Sequence, residues 1–389
     1  MVAIENMRIR FYGTQGSGST FPSQQERSEY REMLDCELLR HVFEDIKQRS
    51  ADGGKISIED ILGGSLDSAT LKAYRNKFEL SELRVYGGWT TCVLLETSDG
   101  YNIVLDCGSG FRHCAQDLQT KWADSPDRHL FVFGSHSHLD HTEGFDQAAV
   151  CFDSRNTIHV YGNRQFLLAL DSKLGIFSRR IAAAEKGVHT PISYDVMPAS
   201  FQSYEVQRNP SQPTALDSVA QHYHDQSESI MLGKTQIIAF EVDHPAPCLA
   251  YRIEHNNKVF VFCTDHELRH DDTNATKQRE SLEAEERLLA YSQGADVLYR
   301  DGQYLRVEYD GLKGVGDSNP VSRLGWGHSC IEDVLEMAEK AGIANTYIGH
   351  HDPNRPWRER NEIDEDLARE SKTRNANVEL ARADTVVDL

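Results

Sequence analysis

A stretch of seven residues, 135–141, constrains the fold of this chain more than any other feature. It carries three histidines and one aspartate directly after an apolar run that is typical of a buried strand. Side chains alternate along an extended chain, so His136 and His138 should point to the same side. After a turn, Asp140 and His141 can address a second point nearby. This layout predicts two adjacent metal ions rather than a solvated, histidine-rich loop.

The length and the charge of the chain limit its class. Its 389 residues allow two or three average domains, or one large α/β domain with insertions, and 39% of them are hydrophobic. The formal net charge is −20 without a visible basic stripe, whereas proteins that bind long nucleic acids usually present a basic face. We therefore expect no long nucleic acid as a partner. A small anionic substrate remains compatible, because metal ions make one pocket locally positive.

The cysteines and the N-terminus indicate the cellular compartment. The eight cysteines form no CxxC pair, and Cys92 and Cys263 lie in apolar, strand-like runs, so reduced and buried thiols are expected. No apolar run approaches the length of a membrane span, and the first residues lack the architecture of a signal peptide. These features predict a cytoplasmic protein that does not contact a membrane.

Helical signals interrupt the strands of the N-terminal part. Residues 24–48 predict a long amphipathic helix and 58–78 a weaker helical segment, before strand signals resume at 83–86. We therefore expect a single domain over 1–389 with a helical insertion at 20–82. Amphipathic helices commonly cover a cleft or pair subunits, so the insertion is expected to act as a lid or as the interface of a homodimer.

The C-terminal half returns to strands after a polar segment. Residues 193–230 are polar and weakly periodic, which predicts an irregular insertion. Strand signals follow at 235–242 and 258–263, and 329–341 predict a helix that Gly342 ends.

One pattern recurs along the chain, in which an apolar strand ends by delivering a ligand-type side chain. Strand ends on one edge of a sheet are where open α/β folds place their sites. A single histidine after a strand is more often a core or surface residue, but five such strand ends are hard to produce by chance. The side chains so delivered are Asp106, His136, His244, Asp265 and His350.

The order of these residues resembles the metallo-β-lactamase superfamily, and within it the branch of ribonuclease Z and cyclic-nucleotide phosphodiesterase-like hydrolases. The similarity covers residues 6–19 and about 83–389. Supporting segments are YGGWTTCV at 86–93, IVLDCGSG at 103–110, GWGHS at 325–329 and GHHDP at 349–353. The resemblance implies an α/β fold, namely the αββα sandwich of two mixed β-sheets flanked by helices.

The resemblance also implies a dinuclear metal site. Asp265 would bridge the two ions, and Asp106 would orient a ligand rather than bind metal itself. His350 is favoured over His351 because it directly ends its strand. The ligands of one ion would be His136, His138 and His244, and those of the other would be Asp140, His141 and His350.

A general acid is implied by the same resemblance. His328, within GWGHS, and Asp301 resemble the proton-donating histidine and its carboxylate partner in the ribonuclease Z branch. The alternative for His328 is a residue at a helix N-terminus without any chemistry. Together with Asp140, these two residues are expected to carry catalysis.

The ligand types favour Zn²⁺, and Mn²⁺ or Fe²⁺ are also compatible. Two divalent ions with two carboxylates leave a positive pocket that attracts a phosphodiester. A hydroxide held between the metals would attack phosphorus, while His328 would protonate the leaving oxygen. The sequence thus predicts a phosphodiesterase for a small nucleotide, foremost a 3′,5′-cyclic nucleotide. The alternatives are a carbonyl hydrolase (lactonase, thioesterase or β-lactamase-like) on the same metals, and a non-catalytic metal-binding scaffold or sensor.

Overall fold

The computed structural model describes residues 4–50, 56–78, 85–182, 186–208, 219–374 and 376–389. The chain forms two compact units, one of Met1–Thr20 with Tyr86–Leu389 and the other of Phe21–Val85. The larger unit contains all the described strands, and the described elements of the smaller unit are helices.

Fifteen strands and nine α-helices are found in the described residues. The strands are β1 (Met7–Gly13), β2 (Cys92–Thr97), β3 (Asn102–Leu105), β4 (His129–Phe133), β5 (Thr157–Gly162), β6 (Ser200–Gln207), β7 (His222–Asp225), β8 (Ile230–Leu232), β9 (Thr235–Val242), β10 (Cys248–His255), β11 (Lys258–Cys263), β12 (Val297–Asp301), β13 (Asn345–Gly349), β14 (Val378–Leu380) and β15 (Val386–Asp388). The helices are α1 (Gln24–Ser50), α2 (Ile58–Leu62), α3 (Ser68–Asn76), α4 (Phe111–Lys121), α5 (Arg164–Leu174), α6 (Ala275–Ser292), α7 (Arg306–Tyr309), α8 (Ile331–Ala341) and α9 (Trp357–Arg374). None of these helices combines the length and the apolar character that crossing a bilayer requires.

The strands form two mixed sheets. The first has eight strands in the order β15-β1-β2-β3-β4-β5-β6-β7, and the second has seven in the order β14-β13-β12-β11-β10-β9-β8. In the first sheet β1, β2 and β3 are antiparallel neighbours, whereas β3 to β7 run parallel. In the second sheet β8 to β11 are antiparallel and β11 to β14 run parallel. Helices are therefore expected on the faces of the parallel parts.

Apolar side chains of the two sheets form a shared core. The ring of Phe11 packs edge-on against that of Tyr299 with centroids 5.3 Å apart, and Phe133 packs likewise against Tyr251 at 5.5 Å. On the outer faces, α4 and α5 cover the first sheet, and α6, α8 and α9 cover the second. This arrangement confirms the predicted αββα sandwich.

The parallel strands bring their carboxyl ends to one edge of each sheet. Asp106 directly follows β3, and residues 135–141 begin two positions after β4. In the second sheet Asp265 follows β11, Asp301 ends β12 and His350 follows β13. Asp106 and His350 adopt the left-handed region, with φ of 59° and 56°, so the chain turns sharply where each side chain reaches the edge.

The smaller unit holds α1, α2 and α3. The hydroxyl of Ser57 accepts a hydrogen bond of 3.1 Å from the Asp60 N–H, while the Asp60 carboxylate accepts one of 3.0 Å from the Ser57 N–H. The predicted helical segment at 58–78 is two helices, because α2 ends at Gly63 with φ of 79°. Residues 79–84, which include the start of the strand predicted at 83–86, lie outside the described residues. The role of this unit as a lid or dimer interface stays a prediction.

The prediction of an irregular insertion at 193–230 is wrong for the residues of β6 and β7, which are strands of the first sheet. Strand β6 pairs in parallel with β5, and β7 continues the same sheet. The strand signal is weak because polar side chains occupy buried positions beside Phe201. Ser203 is buried, and its hydroxyl donates a hydrogen bond of 2.6 Å to the carbonyl of Val219. Residues 209–218 lie outside the described residues.

Gly134 connects β4 to the histidine-rich loop at a position that admits no side chain. A Cβ there would lie 2.2 Å from the ring of Phe166, and the Gly134 carbonyl accepts a hydrogen bond of 2.6 Å from the hydroxyl of Tyr251. We expect Gly134→Ala to lower the free energy of unfolding by about 1–3 kcal/mol, because an overpacked core forces neighbouring groups to move.

Urea unfolding followed by circular dichroism measures this loss. Adding Phe166→Leu should recover part of it, since the smaller side chain makes room for the new methyl group. Strictly additive losses in the double variant would show that the effect of Gly134→Ala is not a clash with Phe166.

Candidate functional site

The first group of ligand-type side chains gathers after the ends of β4, β9 and β11. Nε2 of His244 lies 3.2 Å from Nδ1 of His138, and Nε2 of His136 lies 3.5 Å from Oδ2 of Asp265. One ligand atom from each of the four residues lies within 4.8 Å of all the others. Three imidazoles and one carboxylate at this separation can surround one cation.

The second group lies beside the first and shares Asp265 with it. Oδ2 of Asp140 lies 3.1 Å from Nε2 of His350 and 3.4 Å from Nε2 of His141. Oδ2 of Asp265 faces the first group, whereas its Oδ1 lies 3.4 Å from Nε2 of His141 and 3.3 Å from Nε2 of His350. One oxygen directed at each group is the arrangement of a carboxylate that bridges two ions.

The protonation states of these residues fit divalent cations. Within the described part of the chain, Nε2 of His136 and Nε2 of His141 are buried without a hydrogen-bond partner. Burial lowers the pKa of His136 and brings that of His244 to about 3, so both rings are neutral and keep a lone pair. At His141 burial is outweighed by nearby carboxylates, first that of Asp140, which raise its pKa. The neutral rings of His136 and His244, and the carboxylates that surround His141, are a donor set that zinc-type cations bind.

The carboxylate of Asp106 fixes the orientation of the His141 ring from the side that faces away from the ligand groups. Oδ2 of Asp106 lies 2.7 Å from Nδ1 of His141, so Nε2 is the nitrogen that faces the group. The same carboxylate accepts hydrogen bonds of 2.7 Å from the backbone N–H and from the hydroxyl of Ser135. The structure therefore places Asp106 behind the ligand groups rather than within them, and a partner of this kind sets the tautomer of a ligating histidine.

Two further orienting groups were missed by the sequence reasoning. Oε1 of Gln303 lies 3.0 Å from Nδ1 of His350, and the carbonyl of Gly327 lies 3.0 Å from Nδ1 of His244. Each leaves Nε2 of its histidine directed at the ligand groups. Gln303 could have been found, because it stands two residues after the end of β12, whereas a backbone carbonyl leaves no signal in the sequence.

The structure separates the two neighbouring histidines 350 and 351. His350 lies in the second ligand group, while Nε2 of His351 is 2.8 Å from the carbonyl of Ala381. Burial lowers the pKa of His351 to about 3, so its neutral ring donates this hydrogen bond inside the core. The geometry thus places His350, and not His351, among the ligand-type side chains of the second group.

His328 and Asp301 form a pair beside both ligand groups. Nδ1 of His328 lies 3.0 Å from Oδ2 of Asp301, and the ring stacks on that of His350 with centroids 4.6 Å apart. Burial on its own would lower the pKa of His328, but the carboxylate of Asp301 outweighs it and raises the pKa to about 9. Because Asp301 occupies Nδ1, Nε2 is the nitrogen of His328 that remains for other contacts.

Glu267 anchors the loop that carries His328, and the sequence reasoning missed it as well. Its fully buried carboxylate accepts hydrogen bonds of 2.6 Å from the Gly325 N–H, 2.9 Å from the Gly327 N–H and 2.7 Å from the Tyr309 hydroxyl. The residue stands only two positions after Asp265. The donors of these three hydrogen bonds are distant in the chain, so no local pattern reveals the role.

The chain is similar to several solved structures, and the one with a TM-score above 0.5 among those named here shares its fold. Zn(2+)-bound PqqB from Methylobacterium extorquens is 13% identical with a TM-score of 0.53, and the alignment covers 98% of this chain and 100% of that one. A diphosphatase from the PhnP family is 15% identical and the short form of human tRNase Z is 14% identical; each has a TM-score of 0.48 and coverage of 98% of both chains. At such identities the likeness concerns the fold alone.

Sequence comparison gives the family. No curated protein matches the chain in this comparison. The model of the beta-lactamase superfamily domain matches residues 101–351, which include every residue of the two ligand groups as well as His328 and Asp301. Since this match spans well over half of the chain, the protein belongs to the metallo-β-lactamase superfamily and is a hydrolase.

Proposed function

We propose that the protein is a dinuclear metal-dependent phosphodiesterase of the branch that includes ribonuclease Z and cyclic-nucleotide phosphodiesterase-like hydrolases. The observation that carries the proposal is the carboxylate of Asp265, which faces two ligand groups at once, with the His328–Asp301 pair against them. Two divalent ions held there, foremost Zn²⁺, would activate water and neutralise charge on a phosphoryl group.

The charges of the site favour an anionic substrate. Asp140 and Asp265 are the only carboxylates among the members of the two ligand groups, and their pKa values are held well below the usual range by the surrounding histidines, although burial opposes this. Two divalent cations would therefore leave the centre net positive on a body of net charge −20. A small phosphodiester fits this combination better than a long nucleic acid, which needs an extended basic surface.

His328 is the residue that we assign to the leaving group. Asp301 keeps its ring protonated and oriented, and the stacking on His350 holds it beside the ligand groups. A protonated imidazole at this place can donate its Nε2 proton to the departing alkoxide, as a general acid must. A 3′,5′-cyclic nucleotide has such an alkoxide leaving group, and it is the substrate that we favour.

The proposed function is tested by parallel assays of purified protein with metal analysis. Cyclic nucleotides, bis(p-nitrophenyl) phosphate, lactones and nitrocefin are offered at equal concentration with Zn²⁺, Mn²⁺ or Fe²⁺. We expect turnover of the phosphodiesters. Turnover of lactones or nitrocefin without any phosphodiester turnover would make the protein a carbonyl hydrolase instead, and the absence of all turnover would leave a metal-binding scaffold.

The number of bound ions is a separate prediction. Elemental analysis of the protein should give two divalent ions per chain, and Asp265→Ala should lose at least one of them because both groups share this carboxylate. His129→Ala is the matched control, since His129 is exposed on β4 and lies outside both groups. Retention of both ions by Asp265→Ala would disprove the bridging role.

The role of His328 predicts a dependence on the leaving group. His328→Gln should lower kcat for a cyclic nucleotide about 100- to 10,000-fold, because the alkoxide then departs without a proton. The loss should be much smaller with bis(p-nitrophenyl) phosphate, whose nitrophenolate needs no protonation. The wild-type rate on the cyclic nucleotide should fall as pH rises through the pKa of His328, since the neutral ring has no proton to give. Equal losses on both substrates would contradict the assignment as general acid.

A further inference from the structure

An exposed tryptophan stands at the rim of the candidate site. Trp326 is 51% exposed and lies two residues before His328. Its neighbours Gly325 and Gly327 have φ of 84° and 94°, a backbone region that glycine adopts without strain. The loop thus presents the indole to solvent instead of burying it, two residues before the histidine that we assign to the leaving group.

The backbone around Trp326 is fixed rather than free. Glu267 accepts hydrogen bonds from the N–H groups of both flanking glycines, and the carbonyl of Gly327 contacts Nδ1 of His244. A buried carboxylate that holds two backbone donors is a strong restraint, because these bonds are charge-assisted. The position of the indole is therefore tied to the first ligand group.

One face of the indole is already covered by a cation. The guanidinium of Arg323 lies 4.3 Å from the ring centroid of Trp326 and 5.4 Å from that of Tyr304. Arg323 is 8% exposed, and among the described residues no carboxylate forms an ion pair with it. The ring of Tyr304 lies 6.1 Å from that of His328. Arg323 thus holds the indole ring of Trp326 by a cation–π contact. The solvent-exposed part of the indole is the surface that Arg323 does not cover.

We propose that the exposed surface of Trp326, backed by Arg323, is the subsite that binds the nucleobase of the substrate. An indole held rigidly by its backbone and by a cation loses little conformational freedom when an aromatic heterocycle stacks on it. Trp326 is next in the chain to Gly327, whose carbonyl contacts His244 and which directly precedes His328. This inference rests on the proposed function, and it adds a specificity-determining residue that is not a metal ligand.

The test compares a substrate that has a base with one that lacks it. Steady-state kinetics are measured for 3′,5′-cyclic AMP and for the base-free methyl riboside 3,5-cyclic phosphate. Trp326→Ala should raise KM for cyclic AMP about 5- to 100-fold, which corresponds to the loss of one stacked base, with kcat little changed. KM for the base-free compound should stay the same. Trp326→Phe should restore most of the affinity, because a phenyl ring still stacks.

Leu312→Ala provides the matched control, because Leu312 is 77% exposed and lies outside the site. It should leave both KM values unchanged, which excludes a general effect of removing an exposed apolar side chain. If Trp326→Ala raised KM equally for both compounds, the residue would act on the loop rather than on the base, and the proposed subsite would be refuted.

A binding experiment separates this inference from the proposed function. Calorimetry measures the Kd of a slowly hydrolysed phosphorothioate of cyclic AMP for the wild type and for Trp326→Ala. Weaker binding by the variant, without turnover of any phosphodiester by the wild type, would support the subsite and refute the proposed function. Turnover of cyclic AMP by the wild type, together with KM and Kd values that Trp326→Ala leaves unchanged, would support the proposed function and refute the subsite. Absence of both binding and turnover would overturn the two proposals together.

Discussion

The carboxylate of Asp265 is the contact on which the arrangement of this molecule depends. It is almost completely buried, its Oδ2 faces His136 and its Oδ1 faces His141 and His350. Residues 135–141 follow a strand of the first sheet, whereas Asp265 and His350 follow strands of the second. The carboxylate can face both groups only because the two sheets pack with their carboxyl edges aligned. The packing of the two sheets therefore sets the positions of the site residues, and the residues that follow the strands provide the ligand-type side chains.

Around this carboxylate, the imidazoles are held by partners of different kinds. A carboxylate lies behind His141, an amide oxygen behind His350 and a backbone carbonyl behind His244. All three acceptors lie at Nδ1 and leave Nε2 directed at the ligand groups. Three chemically different acceptors therefore give the three rings the same orientation. The acceptors differ in charge, which changes how strongly each ring donates to a cation. The two ligand groups are for this reason not electrostatically equivalent.

Local sequence patterns predicted those residues of the site whose positions depend only on the strand that precedes them. The residues of the cluster at 135–141 and the side chains that follow apolar strands could be placed because strand direction alone brings them to one edge. Glu267 and the carbonyl of Gly327 could not, since their roles depend on where distant loops return. Strand β6 was missed for a related reason: Ser203 is buried but satisfied by a hydrogen bond to Val219, so its polarity concealed a core position. Tertiary hydrogen bonds, which no periodicity records, account for both kinds of failure.

The spread of the ligand-type residues over the chain determines when the candidate metal site can form during synthesis. His136, His138 and His141 emerge from the ribosome well before Asp265, and His350 emerges later still. A nascent chain therefore exposes three imidazoles while it lacks the shared carboxylate, and the second sheet must fold onto the first before either group is complete. The candidate metal site is therefore complete only after the two sheets have packed together, in a nearly finished molecule.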